Sequence, residues 1–385
     1  MNDLPLDGVV VLDFSQFLAG PSASLRLADL GARVIKIERP PGGEATRAMS
    51  LGGAELDGDT LLFHTINRNK ESLAADLKDP ADVAALIKLA KRADVLIQAF
   101  RPGVMERHGL GYDQVRQLNP RLVYASVSGY GSAGPWRDKP GQDLVVQALT
   151  GLPWLNGRAA DPPVPVGLSI VDQVAGAHLC QGILACLFRR AVTGHGGLVE
   201  VSLLESAVDL QFEGFTSFLN DAHAAPIRSE VSGAHPYISA PYGIYRLSDG
   251  YLAIAMVAIP RLGRLLHVPE LERFDDSAEW FLRRDEIKGV ISQALAPRRV
   301  GDVLAVLEED DVWCAEVLTW AQLVDHEGFR SARISLEAGS GARTFQTTRC
   351  PIRIDGELLA SKRGAPRLGE HETLPADRSV ADESL

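Results

Sequence analysis

Along this chain, short unbroken apolar runs alternate with longer segments of helical period. Gly8 to Ser15 (GVVVLDFS) is an apolar run rich in β-branched residues, the pattern of a strand buried on both faces. Ala19-Gly20-Pro21 interrupts it. Ser22 to Leu30 then sets Leu25, Leu27 and Leu30 at helical spacing, and Gly31 ends that helix. Arg33 to Pro40 (RVIKIERP) predicts a second strand. A strand, a short helix and a strand at this spacing predict a right-handed βαβ unit in a parallel sheet. Residues 44–70 read as polar and irregular. The layered pattern resumes with LAADLKDP, a strand-like piece running into a helix from Pro80 to Arg92. A strand over Asp94 to Phe100, a helix over Tyr112 to Leu118 and a strand in LVYASVSGYG follow. Each strand ends in a turn containing Gly or Pro, and parallel sheets bind ligands at such carboxyl ends.

The most apolar stretch runs from Val166 to Arg190 and holds one carboxylate, Asp172, followed by small residues at Ala175, Gly176, Ala177 and Gly182. From the residues alone two roles stand open for Asp172. It is an N-cap of the helix, or a carboxylate in a poorly hydrated site, where it is a stronger nucleophile or base than in water. Ahead of it a helix over Gln142 to Leu149 carries a second acid, Asp143, and after it VEVSLLESAVDLQ turns from strand to helix. Composition shifts over Asp221 to Ser239, which marks a domain change. A hairpin turning at Ser248-Asp249-Gly250 is expected next, then helices near 260–266, 276–295 and 300–309. From Val317 the chain reads as irregular, with a strand-like TFQTTRCPIRI late on, and about the last 15 residues read as polar and loosely held.

Charge and composition narrow the function. With 385 residues, 46% hydrophobic and 23% charged, the chain is long enough for two domains of ordinary globular composition. A net charge of −11 argues against general nucleic-acid binding. MNDLPLDG has none of the build of a signal peptide, and no apolar run free of charges reaches membrane-spanning length. The scattered Cys180, Cys186, Cys314 and Cys350 fit reduced thiols in a cytoplasmic protein. No GxGxxG follows the first strand, and no GxxxxGK[ST], HExxH or GxSxG occurs, which disfavours dinucleotide, nucleoside triphosphate, zinc and serine-hydrolase chemistry. No metal site is expected. Arg39, Arg101, Arg107, Lys70 and Lys78 sit beside strand ends. In a parallel sheet they converge on one edge suited to phosphate; singly, each also reads as a solvated surface charge.

The segments VLDFSQFLAGP, GARVIKIERP, NRNKESLAADLKDP, RADVLIQAFRPG, KPGQDLVVQALTGL and GLSIVDQVAGAHLCQGILACLFRRAVTG follow one another in order. Together they resemble the family III CoA-transferases (the CaiB/BaiF group), which include formyl-CoA transferase, carnitine CoA-transferase and the α-methylacyl-CoA racemases. The resemblance covers nearly the whole chain. It implies an α/β fold: a Rossmann-like large domain built from both chain ends, a smaller α/β domain between them, and an interlocked-ring homodimer. The corresponding boundaries are 1–220, 221–325 and 326–385.

The resemblance also implies the site. Asp172 is the nucleophile, forming an acyl-aspartyl anhydride and then an aspartyl-CoA thioester before CoA passes to an acceptor carboxylate. Gln142 and Asp143 support it. Coenzyme A, bound as a substrate with no tightly held cofactor, falls to Leu18, Ala19, Arg39, Ala75, Asp76, Leu77, Lys78, Ala99, Phe100, Arg101 and Arg107. The implied partners are an acyl-CoA and a small carboxylic acid. Ala99 departs from the Asn often found there. The racemase branch uses a His where this chain has Gln142, and Gln has no titrating group to move a proton. The transferase reading is therefore favoured over the racemase and over a non-catalytic CoA-binding protein.

Overall fold

The computed structural model describes residues 4–371, so most of the terminal segment expected to be loosely held lies outside the described residues. The chain divides into two compact units. One combines the chain up to Val146 with Ser169–Ala207 and the part from Arg333 onward; the other is Gln147–Leu168 with Val208–Ala332. The sequence reading changes domain at 220/221 and 325/326. The contacts instead divide the chain at 207/208 and 332/333, and the segment 147–168 goes with the second unit.

The first unit is built on a six-stranded sheet. Its strands are β1 (Val10–Asp13), β2 (Arg33–Glu38), β3 (Glu71–Ala74), β4 (Val95–Gln98), β5 (Val123–Ser128) and β6 (Gly197–Ser202), in the order β3-β2-β1-β4-β5-β6. All five pairings are parallel. Its main helices are α1 (Ala19–Asp29), α2 (Pro80–Ala90), α3 (Tyr112–Leu118), α4 (Asp143–Leu149), α5 (Ile170–Thr193) and α6 (Leu203–Asp209), with α4 and α6 running across the unit boundaries. Strand order reverses between β1 and β4, which makes the space beyond their carboxyl ends the switch point where such sheets take ligands.

The apolar runs are unbroken because both sheet faces are covered. Val11, Val95 and Val123 meet Leu27 of α1 and Leu179 and Ile183 of α5 on one face. Leu12, Leu96 and Tyr124 meet Leu86 of α2 and Val115 of α3 on the other. By length and apolar composition α5 resembles a membrane span. Its Val171, Ala175, Leu179, Ile183 and Leu187 are nevertheless buried in the core, which accounts for the apolar stripe without a bilayer.

In the second unit the hairpin turns where its residues predict. β7 (Gly243–Arg246) pairs antiparallel with β8 (Tyr251–Ile254), Tyr251 lying opposite Arg246, and β9 (Cys314–Glu316) adds to β8. The longer helices of the unit are α7 (Phe212–Asn220), α8 (Ile259–Leu266), α9 (Arg284–Leu295) and α10 (Val300–Glu309). Two stretches read as irregular are helical. Leu61–Asn67 is capped by the Thr60 hydroxyl, which accepts from Phe63 N–H, and Trp320–Asp325 by a Thr319/Gln322 capping box. Both helices are so short that the caps outweigh the faint periodicity.

Candidate active site

Helix α5 starts without a cap from its own sequence: Ser169, at the cap position, makes no side-chain cap bond. Asp172 is the third residue of the helix, so of the two roles its residues left open, the N-cap is ruled out. The cap comes from elsewhere. The buried Asp143, which opens α4, accepts the Asp172 backbone N–H at Oδ2 over 3.0 Å. The Asp172 carboxyl is pushed up to about 7, by burial first and by the neighbouring Asp143 charge second. A helix N-terminus by itself favours an ionised acid; here desolvation and like-charge repulsion are larger. The preceding Gln142 is exposed, and its carbonyl accepts from Val146 N–H.

The first turns of α1 and α5 are locked together. A Cβ at Gly176, one turn after Asp172, would lie 2.1 Å from Ser22 Oγ and 2.7 Å from Ala19 O, so only glycine fits. This brings the half-buried Leu18 and buried Ala19, at the end of the β1–α1 loop, against the first turns of α5.

That loop rests on buried charges that the sequence reading passed over. Asp13 closes β1 with its side chain fully buried. It accepts from Ser15 N–H at 3.0 Å, from the Ser15 hydroxyl, from Ser24 Oγ at 2.5 Å and from Lys70 Nζ at 3.2 Å. Lys36 Nζ donates to Ser15 O and Lys70 Nζ to Pro21 O, each at 2.9 Å, so two ammonium groups grip the loop near both ends. Burial pushes Asp13 up, but Lys36, Lys70 and the two serine hydroxyls outweigh it and hold the carboxyl well below the usual range. Burial lowers Lys70 to about 8 against the pull of Asp13. Lys70 is thus a structural cation, and its expected place on a phosphate-binding edge is corrected. The readable signal was a charged residue inside each apolar run, Asp13 in VVLD and Lys36 in RVIKIE.

Most of the remaining expected residues lie at the carboxyl ends of four neighbouring strands, while Arg107 ends the short helix Val104–Arg107 that follows β4. Leu18 and Ala19 follow β1, Arg39 follows β2, Ala75 to Lys78 follow β3, and Ala99 to Arg101 follow β4. Arg39 Nε approaches Asp76 Oδ2 at 3.4 Å. The Asp76 carboxyl is lowered by the Lys78 backbone N–H and by Arg39. Ala75 is buried, Leu77 and Phe100 are half-buried, and Lys78, Arg101 and Arg107 are exposed. Leu18–Ala19 and Ala99–Arg101 flank the switch point between β1 and β4. In the second unit, Trp154 and Tyr237 line one apolar cavity of about 600 Å³ with Phe215 and Phe218.

The fold and site define an α/β protein of the doubly wound, parallel-sheet class, with an acid and several cations gathered at the carboxyl edge. The family model "CoA-transferase family III" matches residues 6–372, and the chain is an enzyme of that family. It is 34% identical to a probable fatty acyl-CoA transferase of Mycobacterium tuberculosis, over 96% of this chain and 97% of the relative. It is 31% identical to a succinate–glutarate CoA-transferase of Agrobacterium fabrum, over 96% and 94% of the two chains. The crystal structure of an aspartate-to-alanine mutant of the mycobacterial protein superposes with a TM-score of 0.84, covering 96% of this chain and 97% of that one at 34% identity. A CAIB/BAIF family protein from Brucella suis gives 0.83, covering 96% and 98% at 28% identity.

Proposed function

We propose that this enzyme moves coenzyme A from an acyl-CoA thioester to a free carboxylic acid, with Asp172 as the covalent nucleophile. The observation that carries the reading is the Asp172 carboxyl, raised to about 7 in the first turn of α5 and set against the β1–α1 loop. When ionised, such a carboxylate is more basic and less hydrated than one in water, and it attacks the thioester carbonyl more readily. Attack forms the acyl–aspartyl anhydride as the carbon–sulfur bond breaks, and CoA leaves as the thiolate. The thiolate adds to the aspartyl carbonyl, releasing the donor acid and leaving an aspartyl-CoA thioester. The acceptor carboxylate reverses the two steps, and Asp172 is freed. Each exchange trades one activated acyl bond for another, so no nucleotide is consumed.

In this reading Arg39 and Arg107 take the nucleotide and phosphate end of CoA, and the backbone at Ala75–Lys78 and Ala99–Arg101 holds the rest. Gln142 has no group that titrates and so cannot act as the base a racemase needs, which speaks against racemase chemistry. An interlocked homodimer with a smaller inserted domain, acting in the cytoplasm, belongs to the same proposal, and sedimentation of the purified chain tests the dimer.

Incubation in D₂O with a panel of acyl-CoAs and free carboxylates, read by mass spectrometry, tests the chemistry. New thioesters without deuterium are expected, and Asp172→Ala abolishes them. Deuterium at the α-carbon without a new thioester overturns the reading.

A further inference from the structure

The sheet face turned away from α1 and α5 changes character toward β6. Register sets Leu96, Tyr124 and Leu198 in one row across β4, β5 and β6, and Gln98, Ser126 and Glu200 in the next. A parallel sheet covered on both faces is apolar on both. Here the second row is polar, Leu198 is 39% exposed and Glu200 is exposed. A cavity of about 380 Å³, within the range of small-ligand sites, opens over these rows.

Two features of its wall point to one kind of occupant. Three carboxylates, Glu106, Glu200 and Glu205, line it, and no Lys, Arg or His does among the described residues. Tyr124 lines it too; this residue is only 3% exposed, yet its hydroxyl has no hydrogen-bond partner among the described residues. A buried hydroxyl left unpaired is unfavourable, and a ligand atom in the cavity satisfies it. Burial and the Glu106 charge push the Tyr124 hydroxyl above its ordinary range, so it stays protonated and keeps both a donor and an acceptor. The Tyr112 ring stands edge-on to Tyr124 at 5.9 Å and adds an aromatic wall.

The cavity adjoins the arginine-bearing strand ends, sharing Phe100 with the positions expected to hold coenzyme A, but its acidic lining repels phosphate and carboxylate. A divalent metal is also a poor fit, because no three His, Cys, Asp or Glu side chains converge as a ligand set among the described residues. A compact organic cation meets every requirement. We propose that this cavity binds a primary ammonium compound, its N–H groups donating to Tyr124 Oη and to the surrounding carboxylates, its apolar body lying against Tyr112.

The test is calorimetric titration of the full chain with benzylammonium and with benzyl alcohol, its neutral analogue. Benzylammonium is expected to bind at least about tenfold more tightly than the alcohol, as for a hydrogen bond that involves a charged group. Tyr124→Phe and the surface variant Glu200→Gln are each expected to weaken the ammonium by about the same factor and the alcohol by less. Equal binding of the two probes, no saturable binding of benzylammonium, or an unchanged affinity in either variant overturns the proposal. Glu200 is exposed, so its replacement does not put folding at stake.

Discussion

Asp143 caps the helix that carries Asp172: its Oδ2 accepts the Asp172 backbone N–H at 3.0 Å. One side chain therefore has two separable effects. It satisfies a backbone donor of α5, and its charge helps to raise the Asp172 carboxyl. Asp143→Asn keeps an acceptor oxygen and removes the charge; Asp143→Ala removes both.

Since ionised Asp172 attacks in the proposed mechanism, kcat/KM rises with pH through about 7 in the natural chain. In Asp143→Asn the midpoint of that rise moves to lower pH. In Asp143→Ala it moves the same way, and the loss of the cap lowers stability by about 1 kcal/mol. A pH–rate profile beside thermal unfolding separates the two effects. An unmoved midpoint in the Asn variant would show that the two carboxylates are uncoupled.

The proposed nucleophile is also a stability liability. The folded chain holds the Asp172 proton more tightly than an unfolded chain does, with a value of about 7 against 3.8. Its contribution is therefore most favourable below the unfolded value and is lost as pH rises through about 7. Asp172→Asn removes that loss. It is expected to stabilise the protein by on the order of 1–3 kcal/mol at about pH 8, partial solvent access keeping the figure low, and by nearly nothing at about pH 4. Denaturant unfolding at the two pH values checks it, and an equal gain at both would point to a cause other than ionisation.

Gly176→Ala places a methyl group 2.1 Å from Ser22 Oγ and 2.7 Å from Ala19 O. Forcing α5 away from α1 is expected to cost about 1–3 kcal/mol. It also shifts Asp172 relative to the β1–α1 loop, so kcat is expected to fall even at temperatures where the variant is folded. Adding Ser22→Ala removes the closer clash and leaves the one with Ala19 O, so rescue is expected to be partial. Urea unfolding and steady-state kinetics on the single and double variants measure both effects.

Much of this architecture is written in local pattern. The runs at Val10–Asp13, Arg33–Glu38 and Val95–Gln98 are strands because both sheet faces bury them, and the Gly and Pro punctuation marks their ends. Tyr112–Leu118 forms the helix its periodicity predicts. What stayed hidden depends on partners distant in sequence. Asp172 looked like a cap because an acid before an apolar helix usually is one; the actual cap, Asp143, lies 29 residues away. Lys70 looked like a surface cation because nothing near it in sequence announces Asp13, 57 residues earlier. The short helix Leu61–Asn67 was hidden because its start depends on one Thr60 hydroxyl rather than on a repeating apolar face.

Lys36 and Lys70 share the single carboxylate of Asp13 beneath the β1–α1 loop. Removing one member of such a buried ionic group typically costs about 3–5 kcal/mol, whereas replacing the whole group with well-packed apolar residues is often neutral or stabilising. The three positions are consequently coupled energetically and act as one unit. A lineage that leaves this arrangement one residue at a time must first pass through a poorly folding ancestor, whichever residue goes first. Divergence within this scaffold is therefore steered toward the rims of the ligand site and away from its foundation.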